Sequence, residues 1–377
     1  MVASNIYIEN LVETFNKDCL CSVVGTESSL HQLSPYIGKI KSSIASFLIE
    51  NFTTVGDTIY DPFCGAGTIP FQGWISNRNV IANDLNEYAL ILTQAKLFPP
   101  TTIEDVLNAI EQFHKLVSAR KQTIDLRKTP QWVRQFFHKE TLRETIAWFE
   151  ILQENEAFFL IACLLGILHH QRPGFLSYPS SHTVPYLRVK KFPPDQFPEL
   201  YEYREVKSRL IKKVTRAFRR VPILQPETQR TCFNEDASTL FFDQKVEAVI
   251  SSPPYMRQLD YARDNRLRLW FLNVNDYKTL DAKISPKEDF FIEMMKKCLV
   301  QWTSILKDKG KCILFLGDNY SKKYKARLPE VLEKIVCEDI GSYKLVFKHQ
   351  SIIPNNRRVR RNYRGNNAET ILVFEKI

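Results

Sequence analysis

The chain has 377 residues, 44% of them apolar and 12% aromatic, and carries 52 Lys+Arg against 42 Asp+Glu for a formal net charge of +10. A quarter of the residues are charged and only 12 are glycine, which excludes a disordered or fibrous chain; the length allows one large core or two ordinary ones. The longest apolar run, Phe158 to Leu168, is far short of the ~20 residues that span a bilayer, no signal-peptide pattern opens the chain, and the eight cysteines form no CxxC pair. We therefore expect a cytoplasmic protein with reduced thiols, no disulfide, no metal site and no membrane partner.

Short β-branched or aromatic runs alternate with helical patterns, which predicts a parallel α/β sheet. The first strand is expected over Thr58 to Asp61, followed by the turn Phe63-Cys64-Gly65-Ala66-Gly67-Thr68 and a helix to about Ser76. A second strand, Asn79 to Asn83, ends on Asp84, and Glu87 to Lys96 has the helical period. The stretch from about Pro99 to Glu227 reads mostly as helix, anchored by Trp132, Phe136, Phe137, Trp148, Phe149, Phe158 and Phe159. A structureless connection of that length is not expected in a compact domain, so residues 99–227 are taken as an inserted subdomain between a first half (1–98) and a second half (228–377). Strands follow at Thr231 to Phe233, Glu247 to Ser251 and Lys311 to Leu316, with a long helix around Lys287 to Leu306 before the last of these. Tyr343 to Phe347 and Thr370 to Glu375 close the chain.

Two turns carry chemistry. In Asp61-Pro62-Phe63-Cys64-Gly65-Ala66-Gly67-Thr68, two glycines between a strand and a helix let the backbone approach a ligand beside free helix N–H groups. Asp84, about 20 residues on, stands where an acid can hold ribose hydroxyls. There is neither a GxGxxG fingerprint nor a Walker lysine, and a tight turn with an acidic cap would explain this motif alone. In Ser251-Ser252-Pro253-Pro254-Tyr255, two prolines after a strand stop the ladder and leave a rigid turn with fixed carbonyls. A hydroxyl before them and a ring after them suit a planar ligand bearing an NH₂ group.

With both motifs in this order, the sequence resembles the S-adenosylmethionine-dependent amino-methyltransferases of DNA, the cytosine-N4 and adenine-N6 class. The resemblance covers about residues 30–98 and 228–377. It implies a Rossmann-like, mostly parallel seven-stranded methyltransferase sheet with an antiparallel last strand, carrying a largely helical insertion. S-adenosylmethionine is the implied cofactor, held by Asp61, Phe63, Gly65, Gly67 and Thr68, by Tyr36 and Lys39 in Ser34-Pro35-Tyr36-Ile37-Gly38-Lys39, and by Asp84 and Asp236, with Glu235 a rival to Asp236. Cys64 is read as packing. The implied catalytic residues are Ser252, Pro253, Pro254 and Tyr255. Serine at the first position looks more like the cytosine-N4 enzymes, which makes cytosine N4 the leading expectation and adenine N6 its rival. An RNA guanine-N2 or protein glutamine methylase and a non-catalytic DNA-binding relative are the other classes weighed.

Charge placement agrees with a polyanionic substrate. Between Lys344 and Arg364 lie seven basic and no acidic residues, and between Arg188 and Arg220 eleven basic and four acidic, so the rest of the chain is slightly acidic. Arg357, Arg358, Arg360, Arg361 and Arg364, interleaved with asparagines, combine phosphate and base-edge chemistry. Arg263 and Arg266, just after the second motif, are candidate phosphate contacts, and the insertion is the candidate target-recognition region. Double-stranded DNA is the expected partner. A cognate restriction endonuclease acting on the same site is the second partner that the resemblance implies.

Overall fold

The computed structural model describes residues 2–20, 27–182, 184–223, 227–254, 260–284, 287–353 and 366–377. Seven strands form one sheet: β1 Thr58–Asp61, β2 Asn79–Asn83, β3 Arg230–Phe233, β4 Val246–Ser251, β5 Leu306–Gly317, β6 Tyr343–Ile352 and β7 Ala368–Lys376. In these labels the order across the sheet is β3-β2-β1-β4-β5-β7-β6. Every pair among β3, β2, β1, β4 and β5 is parallel, while β7 runs antiparallel to both β5 and β6. The central strand β1 is buried along its whole length, as a strand covered on both faces must be.

Alternation along the strands divides the core in two. Ile59, Ala82, Ala248, Ile250, Ile313 and Val373 point to one face. That face is covered by helices α1 Val2–Phe15, α2 Ser42–Phe52, α3 Thr68–Ile75 and α4 Glu87–Leu97. Tyr60, Ile81, Val249, Leu314, Leu372 and Phe374 point to the other, where they meet Met295, Leu299 and Trp302 of the long helix Glu288–Ile305.

The segment between β2 and β3 contains α5 Ile103–Thr123, α6 Lys139–Glu154, α7 Phe158–Gly166 and α8 Val206–Ala217. The apolar run becomes α7, which is buried on all sides from Phe159 to Gly166. Phe136, Phe137, Trp148, Phe149 and Phe159 are buried, with Trp132 and Phe158 partly buried against them. These residues join the same apolar cluster as the first face of the sheet. Ser29 Oγ donates to the Ala217 carbonyl at 2.6 Å, tying the end of α8 to the segment before β1.

The strand order reverses between β1 and β4, one neighbour leading to β2 and the other to β5. In open α/β sheets the crevice outside the carboxyl ends of the strands at such a point is where ligands bind. Both motifs lie there. Among the described residues no helix is long and apolar enough to cross a membrane.

Candidate active site

The loop after β1 takes its shape from its glycines. Gly65 has φ +51° and Gly67 φ +69°, left-handed values that other residues adopt at a cost. A Cβ on Gly67 would lie 2.8 Å from the Cα of Thr93 on α4, so only hydrogen fits between the loop and that helix. The loop is then fastened from below. Lys96 Nζ, fully buried, donates to the Ala66 carbonyl, and Thr93 Oγ1 donates to the Gly65 carbonyl at 3.2 Å. Burial is the main reason the Lys96 ammonium is drawn down to a pKa of about 7. Cys64 is buried with its thiol 3.3 Å from Thr93 Oγ1, and burial pushes that thiol well above its ordinary range.

Acids from three strand ends converge on this loop. Asp84 accepts the Gly65 N–H at 2.8 Å on one oxygen and the Asn86 N–H at 2.9 Å on the other. Asp61 Oδ1 accepts the Ser251 hydroxyl at 2.6 Å and the Phe63 N–H at 3.3 Å. Asn83 holds the β3 end in place through both its amide groups, donating to the Glu235 carbonyl and accepting the Glu235 N–H at 3.0 Å each. Asp236 caps the following turn, accepting the Ser238 N–H and hydroxyl at 2.9 and 2.7 Å. Burial raises Asp61 to about 7 and Asp84 to about 6, more than their hydrogen bonds pull them down.

Together these groups line one open cleft. Tyr36, Lys39, Asp61, Phe63, Gly65, Thr68, Asp84, Asp236, Ser252 and Pro254 all face it, so one cleft brings together all but one of the expected cofactor residues and two of the four expected catalytic ones. Glu235, the rival to Asp236, lines it as well. Phe63 also packs edge-on to Trp302, with centroids 6.3 Å apart. Gly67 is the N-cap of α3 and serves the loop rather than the wall.

Sequence reasoning passed over Ser251, Asn83 and Tyr261. Tyr261 lies in the helical turn Tyr261–Asp264 and its ring stacks on Tyr36 at 6.3 Å, closing the cleft from the side of the second motif. Its place in a segment that begins just after the second motif was the available signal. Arg263 is half exposed and pairs with Asp260 and Asp264. Arg266 donates to the carbonyls of Pro185 and Arg263, at 2.6 and 3.1 Å. Tyr255 and the cluster Arg357, Arg358, Arg360, Arg361 and Arg364 lie outside the described residues.

The cleft presents the two buried carboxyls of Asp61 and Asp84, whose pKa values burial raises, and Thr68 Oγ1, buried without a hydrogen-bond partner, while Lys39 and Lys283 also line it. The glycine loop allows close backbone approach. S-adenosylmethionine, with a sulfonium and an ammonium against one carboxylate, matches that donor set. The fold is Rossmann-like, and S-adenosylmethionine is the cofactor that these residues fit. Residues 36–191 match the family described as D12 class N6 adenine-specific DNA methyltransferase, a segment that includes Tyr36, Lys39, the glycine loop and Asp84 and stops before Ser252.

Over 309 residues the chain is 24% identical to the Type II methyltransferase M.BsoBI of Geobacillus stearothermophilus, covering 74% of this chain and 59% of that protein. It is 28% identical over 92 residues to the Type II methyltransferase M.MjaII of Methanocaldococcus jannaschii, covering 23% of this chain and 17% of that one. The chain thus spans less than two thirds of either relative. Among solved structures, TrmN from Thermus thermophilus superposes with a TM-score of 0.37 at 11% identity, over 92% of this chain and 52% of that one. An rRNA methylase from Streptococcus thermophilus gives 0.34 at 10% identity, over 90% and 98%.

Proposed function

We propose that the protein transfers a methyl group from S-adenosylmethionine to the exocyclic amino group of a base in DNA, with adenine N6 as the acceptor. The observation that carries this reading is the cleft in which the glycine loop, the acids of three strand ends, Ser252 and Pro254 meet. The D12 match and the Type II relatives support DNA as the substrate, and the D12 description supports adenine N6. Ser252 at the first position of the motif favours cytosine N4 as the second reading, and the matched segment ends before that residue.

Bound cofactor supplies an electrophilic methyl on a sulfonium. The amino nitrogen of a base is conjugated and weakly nucleophilic, so the protein's task is to aim it. Ser252 Oγ and the Pro253 carbonyl accept its hydrogens, favour a pyramidal nitrogen and direct its lone pair, while Tyr255 stacks on the ring. No covalent intermediate is required: as the N–C bond forms, the S–C bond breaks, S-adenosylhomocysteine leaves as a neutral thioether, and the methylated nitrogen gives up one proton to solvent. A base in a duplex must be flipped out to reach the cleft, at a cost of a few kcal/mol. The arginine-rich stretch 357–364 and Arg263 supply backbone contacts, and the insertion 99–227 reads the target. A restriction endonuclease with the same target is a partner consistent with the Type II relatives.

The test is expression in a host lacking DNA methylation, followed by mass analysis of nucleosides from its DNA and RNA. N6-methyladenine in DNA is the expected product. N4-methylcytosine would select the second reading, and unmodified DNA beside methylated RNA would overturn both.

A further inference from the structure

Ser251 is the last residue of β4 and is 1% exposed; Asp61 is the last residue of the neighbouring β1 and is 2% exposed. The two strands run parallel with Tyr60 opposite Val249, so the register brings their ends together. The Ser251 hydroxyl gives its only proton to a hydrogen bond with Asp61, at 2.6 Å. Asp61 lines the cofactor cleft, and Ser252, next in the chain after Ser251, lines it too. One hydroxyl therefore joins the residue that meets the cofactor to the strand end that presents the motif for the acceptor. Nothing in the two motifs read separately gives Ser251 this task.

We infer that Ser251 is a positioning residue, whose hydroxyl holds the Asp61 carboxylate oriented and charged for the cationic cofactor and so couples cofactor binding to the strand that carries Ser252. The acid needs such help. Burial favours its neutral form, Asp84 at the end of β2 pushes in the same direction, and the donors acting against both are Ser251 Oγ and the Phe63 N–H. The other ionisable groups near it are Tyr60 on its own strand and Cys64 in the loop, both themselves held neutral by burial. Without the hydroxyl, Asp61 stays protonated to higher pH, and a neutral acid offers the cofactor no opposite charge.

The experiment measures S-adenosylmethionine dissociation constants by calorimetry from pH 6 to 8.5 on the full chain without nucleic acid, for the wild type, Ser251→Ala, Ser251→Thr and Asp61→Asn. Ser251→Ala is expected to weaken binding about tenfold at pH 7, as losing one hydrogen bond to a charged group does, and to recover most of that loss at pH 8.5. Ser251→Thr, which keeps the hydroxyl, should follow the wild type. Asp61→Asn should bind weakly with no recovery at high pH.

An equal loss at every pH in Ser251→Ala would show a merely structural role and overturn the inference. A wild-type pH profile in Asp61→Asn would do so as well, even if Ser251→Ala fails to fold. Because no DNA is present, the outcome is independent of which base is methylated. Absence of any cofactor binding by the wild type would instead refute the cofactor assignment.

Discussion

Gly67 offers the sharpest test of how the cofactor loop is built. Alanine there would place its methyl carbon 2.6 Å from Thr93 Oγ1 and 2.8 Å from Thr93 Cα, at a backbone φ of +69°. The left-handed conformation costs a residue with a Cβ about 1–2 kcal/mol. Forcing a methyl against a backbone atom that cannot rotate away adds about 1–3 kcal/mol. The expected loss is therefore about 2–5 kcal/mol, a substantial part of the roughly 5–15 kcal/mol that typically holds a domain folded. Gly56→Ala is the control: φ is +89° there, and among the described residues nothing lies within 4 Å of the added methyl, so only the backbone penalty applies. Urea unfolding of both variants at one pH, with slopes compared to confirm two-state behaviour, separates the two contributions. Gly67→Ala should also bind S-adenosylmethionine more weakly, because relief of the clash moves the loop. Equal losses in the two variants, within about 0.5 kcal/mol, would refute the claim that close approach to α4 shapes the loop.

Three further outcomes follow from the site. Asp61 and Asp84 have folded pKa values of about 7 and about 6 against an ordinary 3.8, so between about pH 4 and 7 the folded state retains protons that the unfolded chain has lost. Stability of the cofactor-free protein should fall as pH rises through that window, and Asp61→Asn should flatten the fall in unfolding midpoints taken at about pH 4.5 and 7.5. Tyr255→Ala should abolish methyl transfer while the cofactor still binds, measured by product formation and calorimetry side by side; full activity would remove Tyr255 from the catalytic set. Replacing Arg357, Arg358, Arg360 and Arg361 by glutamine should weaken DNA binding and reduce the slope of log affinity against log salt by about 0.9 for each phosphate no longer neutralised, with an unchanged slope placing the DNA elsewhere.

Much of the fold and the cleft was legible in the sequence because local signals and tertiary structure agree. Asn79–Asn83 is a strand in both readings, since a β-branched run between a turn and an acidic cap has no competing period. The helix after the glycine loop ends at Ile75, close to the expected Ser76, and the long helix before β5 begins at Glu288 after an expected start near Lys287. Residues of both the glycine loop and the Ser-Pro-Pro turn line one cleft, and both turns were legible because they are set by local backbone geometry.

What remained hidden depends on pairs far apart in the chain. Ser251 and Asp61 are 190 positions apart, and only the parallel register of β1 and β4 brings the hydroxyl to the carboxyl. Tyr261 meets Tyr36 for the same kind of reason. The insertion reads as helical from its pattern, yet nothing in that pattern says which face it covers; the docking of α7 beneath α4 and of α8 against Ser29 decides that it shares the core of the sheet. The sequence by itself thus determined the strands, the turns and the chemistry available at their ends, all set by near neighbours. Only the tertiary structure decided which of those groups touch, because long-range contact depends on register and packing, which no local signal carries.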